Sequence, residues 1–90
     1  RVWRTEGFVE RFAGDRTSVD EIGASVQDHP EVAAAYTVTG DADALLNLRA
    51  QDTEHLERAL ERIRAEDNVV RTRTQLVLTT LLERDVHGPE

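Results

Sequence analysis

The sequence contains no cysteine and no lysine, and its five glycines stand singly. Without cysteine there are no disulfide staples, thiolate zinc sites or cysteine nucleophiles, and a reducing, cytoplasmic setting is the default expectation. All eleven basic residues are arginine, against eighteen Asp plus Glu, which gives a net charge of -7. So acidic a segment repels phosphate backbones and is not expected to hold DNA by itself. No apolar run approaches the roughly 20 residues needed to span a bilayer, and no signal-peptide core is present. The glycines follow neither GxGxxG nor Walker spacing, and no GxSxG elbow occurs, so phosphate-loop and hydrolase readings fail. Low-complexity tracts and Pro/Gly-rich linkers are missing too, which leaves one domain.

What is present is 90 residues and 10.1 kDa, with 39% apolar and 32% charged residues. A chain of this size hides only about 60% of the surface that its unfolded form exposes, so a self-sufficient core is marginal and association is expected. The first residue is Arg rather than Met, and the expectation is a domain cut from something longer. Residues 1–7 read as a lead-in, 8–83 as the folded unit and 84–90 as a tail.

An internal repeat organises the middle of the chain. Adding 37 to Val19, Ile22, Gly23, Val26 and Val32 gives Leu56, Ala59, Leu60, Ile63 and Val69, and residues 8–13 (FVERFA) align with 45–50 (LLNLRA) at the same offset. In each half the apolar stripe falls at i, i+3, i+4 and i+7, with Glu54, Glu57, Arg58, Glu61 and Arg62 outside it, which predicts two amphipathic helices. Ser18 and Glu21 have capping-box spacing, Asp52 or Thr53 can cap the second helix, and His29-Pro30 is expected to stop the first. Residues 32–39 and 70–82 are rich in β-branched side chains at alternating positions and read as strands. Gly40, Asp41, Ala42 and Asp43 close a turn before the run Ala44-Leu45-Leu46.

The order strand, helix, strand, strand, helix, strand is the ferredoxin-like βαββαβ pattern, an α+β fold. Right-handed crossovers place both helices on one face of a four-stranded antiparallel sheet with the first and third strands central. About 400 Å² of the other face is then uncovered. A continuous final strand over 69–82 would extend roughly 45 Å, further than a small domain can pair internally. Both features predict at least a homodimer, formed through the sheet.

Several residues invite a chemical reading. His29, His55 and His87 lack a second histidine at i+3 or i+4, so they read as surface histidines rather than metal ligands. Arg71 and Arg73 alternate with Thr72 and Thr74 without aromatic neighbours and read as a solvated or ion-paired face. Trp3 lies in the unperiodic lead-in. Asp41 and Asp43 are ordinary turn residues, and also a pair of carboxylates beside turn amides. A free amino acid needs an anion for its ammonium and donors for its carboxylate. Asp41 and Asp43, the amides around Gly40 to Ala42, and the hydroxyls of Thr72 and Thr74 form a set that meets both needs.

TGDADALL at 39–46, HPEV at 29–32 and VRTRT at 70–74 together resemble the effector-binding (RAM) domain of Lrp/AsnC transcriptional regulators, from about Phe8 to Glu83. The resemblance implies a ferredoxin-like domain that dimerises by its sheet face, assembles further into tetramers of dimers, and senses small molecules, typically amino acids. It places the effector where dimers meet, at Gly40, Asp41, Ala42, Asp43, Thr72 and Thr74. Many members carry aromatic residues where Ala42 and Ala44 stand here, which implies a thinner pocket wall, with either a bulkier ligand or a degenerate site. The helix-turn-helix that precedes this domain in full-length members, and through which they contact DNA, does not occur in these residues. No cofactor, metal or catalytic residue is expected. Two other readings are an assembly module without ligand and a dimeric ferredoxin-like oxygenase; the apolar helix stripes argue against the oxygenase.

Overall fold

The structure, a computed structural model, describes residues 4–14 and 17–84. It has the expected element order: β1 (Thr5–Ala13), α1 (Val19–Val26), β2 (Val32–Tyr36), β3 (Ala44–Ala50), α2 (Thr53–Arg64) and β4 (Val69–Leu76). The strands form one antiparallel sheet in the order β2-β3-β1-β4, so the first and third strands are central as the crossover argument requires. β1 starts within the segment read as a lead-in.

Each helix begins where the sequence supplies a cap. Ser18 accepts from the Glu21 amide while the Glu21 carboxylate accepts from the Ser18 amide, and Asp52 accepts from the His55 amide. α1 ends at Val26 with Gln27 as its cap, three residues before His29-Pro30, so the proline does not itself end the helix. Leu56, Ala59, Leu60 and Ile63 of α2 and Ile22 of α1 pack on Val9, Ala44, Leu46, Leu48 and Ala50. Facing partners in an antiparallel pair share a side, so the register puts Val9, Arg11, Thr72 and Thr74 on the helix-covered side, together with Leu46 and Leu48. Phe8, Glu10, Phe12, Tyr36, Leu45, Arg71 and Arg73 lie on the open side.

Four details depart from expectation. β4 stops at Leu76, not at Leu82: Leu76 faces Gly7, the last bond is from the Val77 amide to the Glu6 carbonyl at 2.9 Å, and the chain then leaves the ladder while β1 continues to Thr5 against β3. Leu78, Leu81 and Leu82 beyond it are exposed. β2 ends at Tyr36, so the connection to β3 spans residues 37–43. His29 is not a surface histidine; it is 7% exposed. Arg71 does have an aromatic partner, supplied across the ladder: its guanidinium sits 4.1 Å from the centre of the Phe12 ring. Trp3, His87 and the tail 85–90 lie outside the described residues.

Candidate functional site

Residues 37–41 of the connection between β2 and β3 are exposed, and its turn depends on Gly40, which has φ +104°. That left-handed conformation strains any residue with a Cβ. Asp41, next in the chain, is exposed and makes no hydrogen bond or ion pair with the described residues. Ala42 is buried. Asp43 is engaged: its Oδ2 accepts from Arg11 Nη1 at 2.7 Å and its Oδ1 from the Ala13 amide at 3.0 Å. Its own amide donates to the Arg11 carbonyl at 2.9 Å.

Thr72 faces Arg11, and Arg11 also faces Ala44, so Thr72 lies two strands across the sheet from the foot of the turn, about 10 Å at ordinary strand spacing. Its hydroxyl accepts from Arg64 Nε at 3.0 Å, whereas the Thr74 hydroxyl is buried without a partner among the described residues. The turn joins β2 to β3 and the two hydroxyls lie on β4 at the other edge of the sheet, and none of the three hollows described below is lined by both.

Sequence reasoning missed two titratable clusters, one behind the turn and one at the opposite end of the β2–β3 pair, where the Arg49 amide donates to the Glu31 carbonyl. Arg11 Nη2 donates to Asn68 Oδ1 at 3.1 Å and lies 3.8 Å from Glu66 Oε1. Glu66 accepts from Ser25 Oγ at 2.6 Å, and its Oε2 is 2.5 Å from His29 Nε2. Burial pushes the Glu66 carboxyl up, but Ser25, His29 and Arg11 outweigh this and hold it below its ordinary value. In the second cluster Glu31 is held by Arg62 and by His55 Nε2 at 2.9 Å. Burial again works upward, and the bonds from Arg62, its own backbone and His55 bring the Glu31 carboxyl from 4.5 down to about 2. The Gln51 amide donates to His55 Nδ1 at 3.1 Å, which leaves Nε2 to carry the neutral ring's proton toward Glu31. No group of three or more metal-ligating side chains occurs among the described residues.

Hollows on the surface of the described residues include the following three. An apolar cleft of about 100 Å³ between α1 and β2 is lined by Val19, Ile22, Gly23, Val26, Tyr36 and Ala44 among others. Ala44 thus faces this cleft, where a larger residue would fill it. On the open sheet face a basin of about 370 Å³ lies among Phe8, Glu10, Leu45, Arg73 and Gln75, crossed by the Arg73–Glu10 ion pair at 2.7 Å. Tyr36 beside it is 54% exposed. The third, about 360 Å³, lies where Arg4, Glu6 and Arg49 meet residues 77–83. Among the described residues no helix is long and apolar enough to cross a membrane.

Comparison with known proteins places this geometry in context. The family described as the Lrp/AsnC ligand binding domain matches residues 9–86. The HTH-type transcriptional regulator Rv2324 of Mycobacterium tuberculosis is 44% identical over 82 residues, 91% of this chain and 55% of that protein. The feast or famine regulatory protein of M. tuberculosis, solved in complex with L-methionine, superposes with a TM-score of 0.78 at 32% identity, over 94% of this chain and 57% of that one. Escherichia coli AsnC superposes with a TM-score of 0.85 at 20% identity, over 93% of this chain and 57% of that one, a likeness of fold. The chain spans about half the length of the curated relatives it matches.

Proposed function

The chain belongs to the Lrp/AsnC ligand-binding domain family, and we propose that it is the amino-acid-sensing and oligomerising part of a cytoplasmic transcriptional regulator. The observation that carries this is the 37–43 turn: a left-handed Gly40 presents an unpaired Asp41 carboxylate in a chain whose relative was solved with L-methionine. Asp41 meets the ligand ammonium; the amides around Gly40 to Ala42, with the hydroxyls of Thr72 and Thr74, supply donors for its carboxylate. Because the turn and the hydroxyls do not share a cavity in one chain, the pocket is completed where a second copy docks. The open sheet face, with Phe8, Tyr36 and Leu45, is the dimerising surface, and tetramers of dimers build on it. DNA contact belongs to the helix-turn-helix of a longer protein, as in the HTH-type relatives. Those relatives are named transcriptional regulators, which supports a regulatory rather than an enzymatic reading.

Thermal shift against the L-amino acids, methionine first, tests this. The matching ligand at 100 times its dissociation constant adds about 2.7 kcal/mol of stability, and Asp41→Ala is expected to abolish the shift. No shift with any amino acid, or an undiminished one in Asp41→Ala, rejects the site. The assembly-module reading is favoured by one observation, the internally engaged Asp43 carboxylate, which serves the turn itself. It predicts the same particle size and melting temperature with and without every ligand.

A further inference from the structure

We infer that Arg11 is the positioning residue of the ligand turn: its buried guanidinium fastens Asp43, so that Asp43 shapes the turn and Asp41 is the carboxylate left to meet the ligand. This rests on the sensing reading above. Arg11 is 1% exposed in mid-β1, on the helix-covered side, at the place where the second half of the repeat has Leu48. A cation at such a depth is tolerated only with partners, and these are directional. One arm of the fork reaches Asp43 Oδ2 at 2.7 Å, while the Ala13 amide takes Asp43 Oδ1 at 3.0 Å. With the bond from the Asp43 amide to the Arg11 carbonyl, three bonds tie residue 43 to β1, and both carboxylate oxygens are occupied. Asp41 lies two residues earlier, beyond the Gly40 reversal, so its place follows from where Asp43 is fastened.

The second arm reaches Asn68 Oδ1 at 3.1 Å, one residue before β4, the strand that carries Thr72 and Thr74. It also lies 3.8 Å from Glu66, which Ser25 and His29 hold from α1 and the turn that follows it. A single planar group thus sets the spacing between the turn and the start of β4, the two parts of the proposed site. A lysine cannot do so, because its ammonium lacks the fork.

The test uses Arg11→Lys, Asp43→Asn and their double variant. In the ligand-free protein each single variant speeds amide exchange at Ala13 and Asp43 about 10- to 100-fold, the loss of one charge-assisted bond, while the amides of Leu46, Leu48 and Ile63 keep wild-type protection. Affinity for the amino acid that binds wild type falls by a similar factor in each, and the double variant is no worse than either single one. Asp41→Asn weakens binding with exchange at Ala13 and Asp43 unchanged. Wild-type exchange at those two amides in Arg11→Lys overturns the inference, as does acceleration shared equally by the core amides, or full affinity in Asp43→Asn with the turn loosened. If wild type binds no L-amino acid, the sensing reading fails, and the exchange result alone still decides whether Arg11 clamps the turn.

Discussion

The two βαβ halves carry one apolar pattern at an offset of 37 and hold together differently. In the second half α2 has twelve residues and buries Leu56, Ala59, Leu60 and Ile63. In the first, α1 has eight and buries only Ile22; Val19, the counterpart of Leu56, is 67% exposed. Polar groups occupy the depth that the first half leaves unfilled: Arg11 stands where the second half has Leu48, and Glu31 where it has Asn68. His29 and Glu66, 37 residues apart and hence equivalent in the repeat, touch each other. One half is packed by apolar contact, which is non-directional and tolerant, and the other is held by directional bonds from a few side chains. A duplicated unit can in this way keep one copy as scaffold while the other positions an exposed turn.

Arg11→Leu makes the halves alike at that position and takes the cationic partner from the Asp43 and Glu66 carboxylates, so urea unfolding should show a loss of about 3 kcal/mol. A loss under about 1 kcal/mol would erase the distinction between ionic and apolar halves. Truncation at equivalent helix positions sharpens the contrast: Leu56→Ala should cost about 2–5 kcal/mol and Val19→Ala no more than about 0.5. Equal costs would mean that the halves pack alike. Glu31 supplies a pH test, because its carboxyl is lower in the folded chain, about 2 against 4.5. Its contribution is fully present above about pH 4.5 and disappears as the pH falls through about 2, on the order of 2 kcal/mol, and Glu31→Gln should flatten that part of the acid unfolding profile. An unchanged profile in the variant would remove Glu31 from the network. Gly40→Ala should cost about 1 kcal/mol through its left-handed φ and weaken ligand binding without loosening α2; a neutral effect would show that the turn does not depend on that conformation.

Periodic features were readable in the sequence because burial imposes a period: the repeat, the element order, the Ser18 and Asp52 caps and the identity of the central strands all match. Strand ends were not readable: β4 leaves the ladder after Leu76, although residues 77–82 keep an apolar alternation and β1 continues to Thr5 against β3. The Gly40 turn was legible from composition, but Asp43's partner was not, because Arg11 is 32 residues away. A signal for Arg11 did exist: it alternates with Val9 and aligns with Leu48, both core positions. The burial of His29 carried no comparable local mark, and its partner Glu66 comes from the other half.

On the proposed reading the 37–43 turn, with Thr72 and Thr74 on β4, receives the ligand while the apolar helix α2 stays still. Titrating the isotope-labelled chain with L-methionine and the other L-amino acids, and following each backbone amide by NMR, tests it directly. Perturbations should gather on Gly40 to Asp43 and on Thr72 and Thr74, with the amides of α2 silent. Perturbations centred on α2, or a spectrum that no amino acid changes, would contradict it.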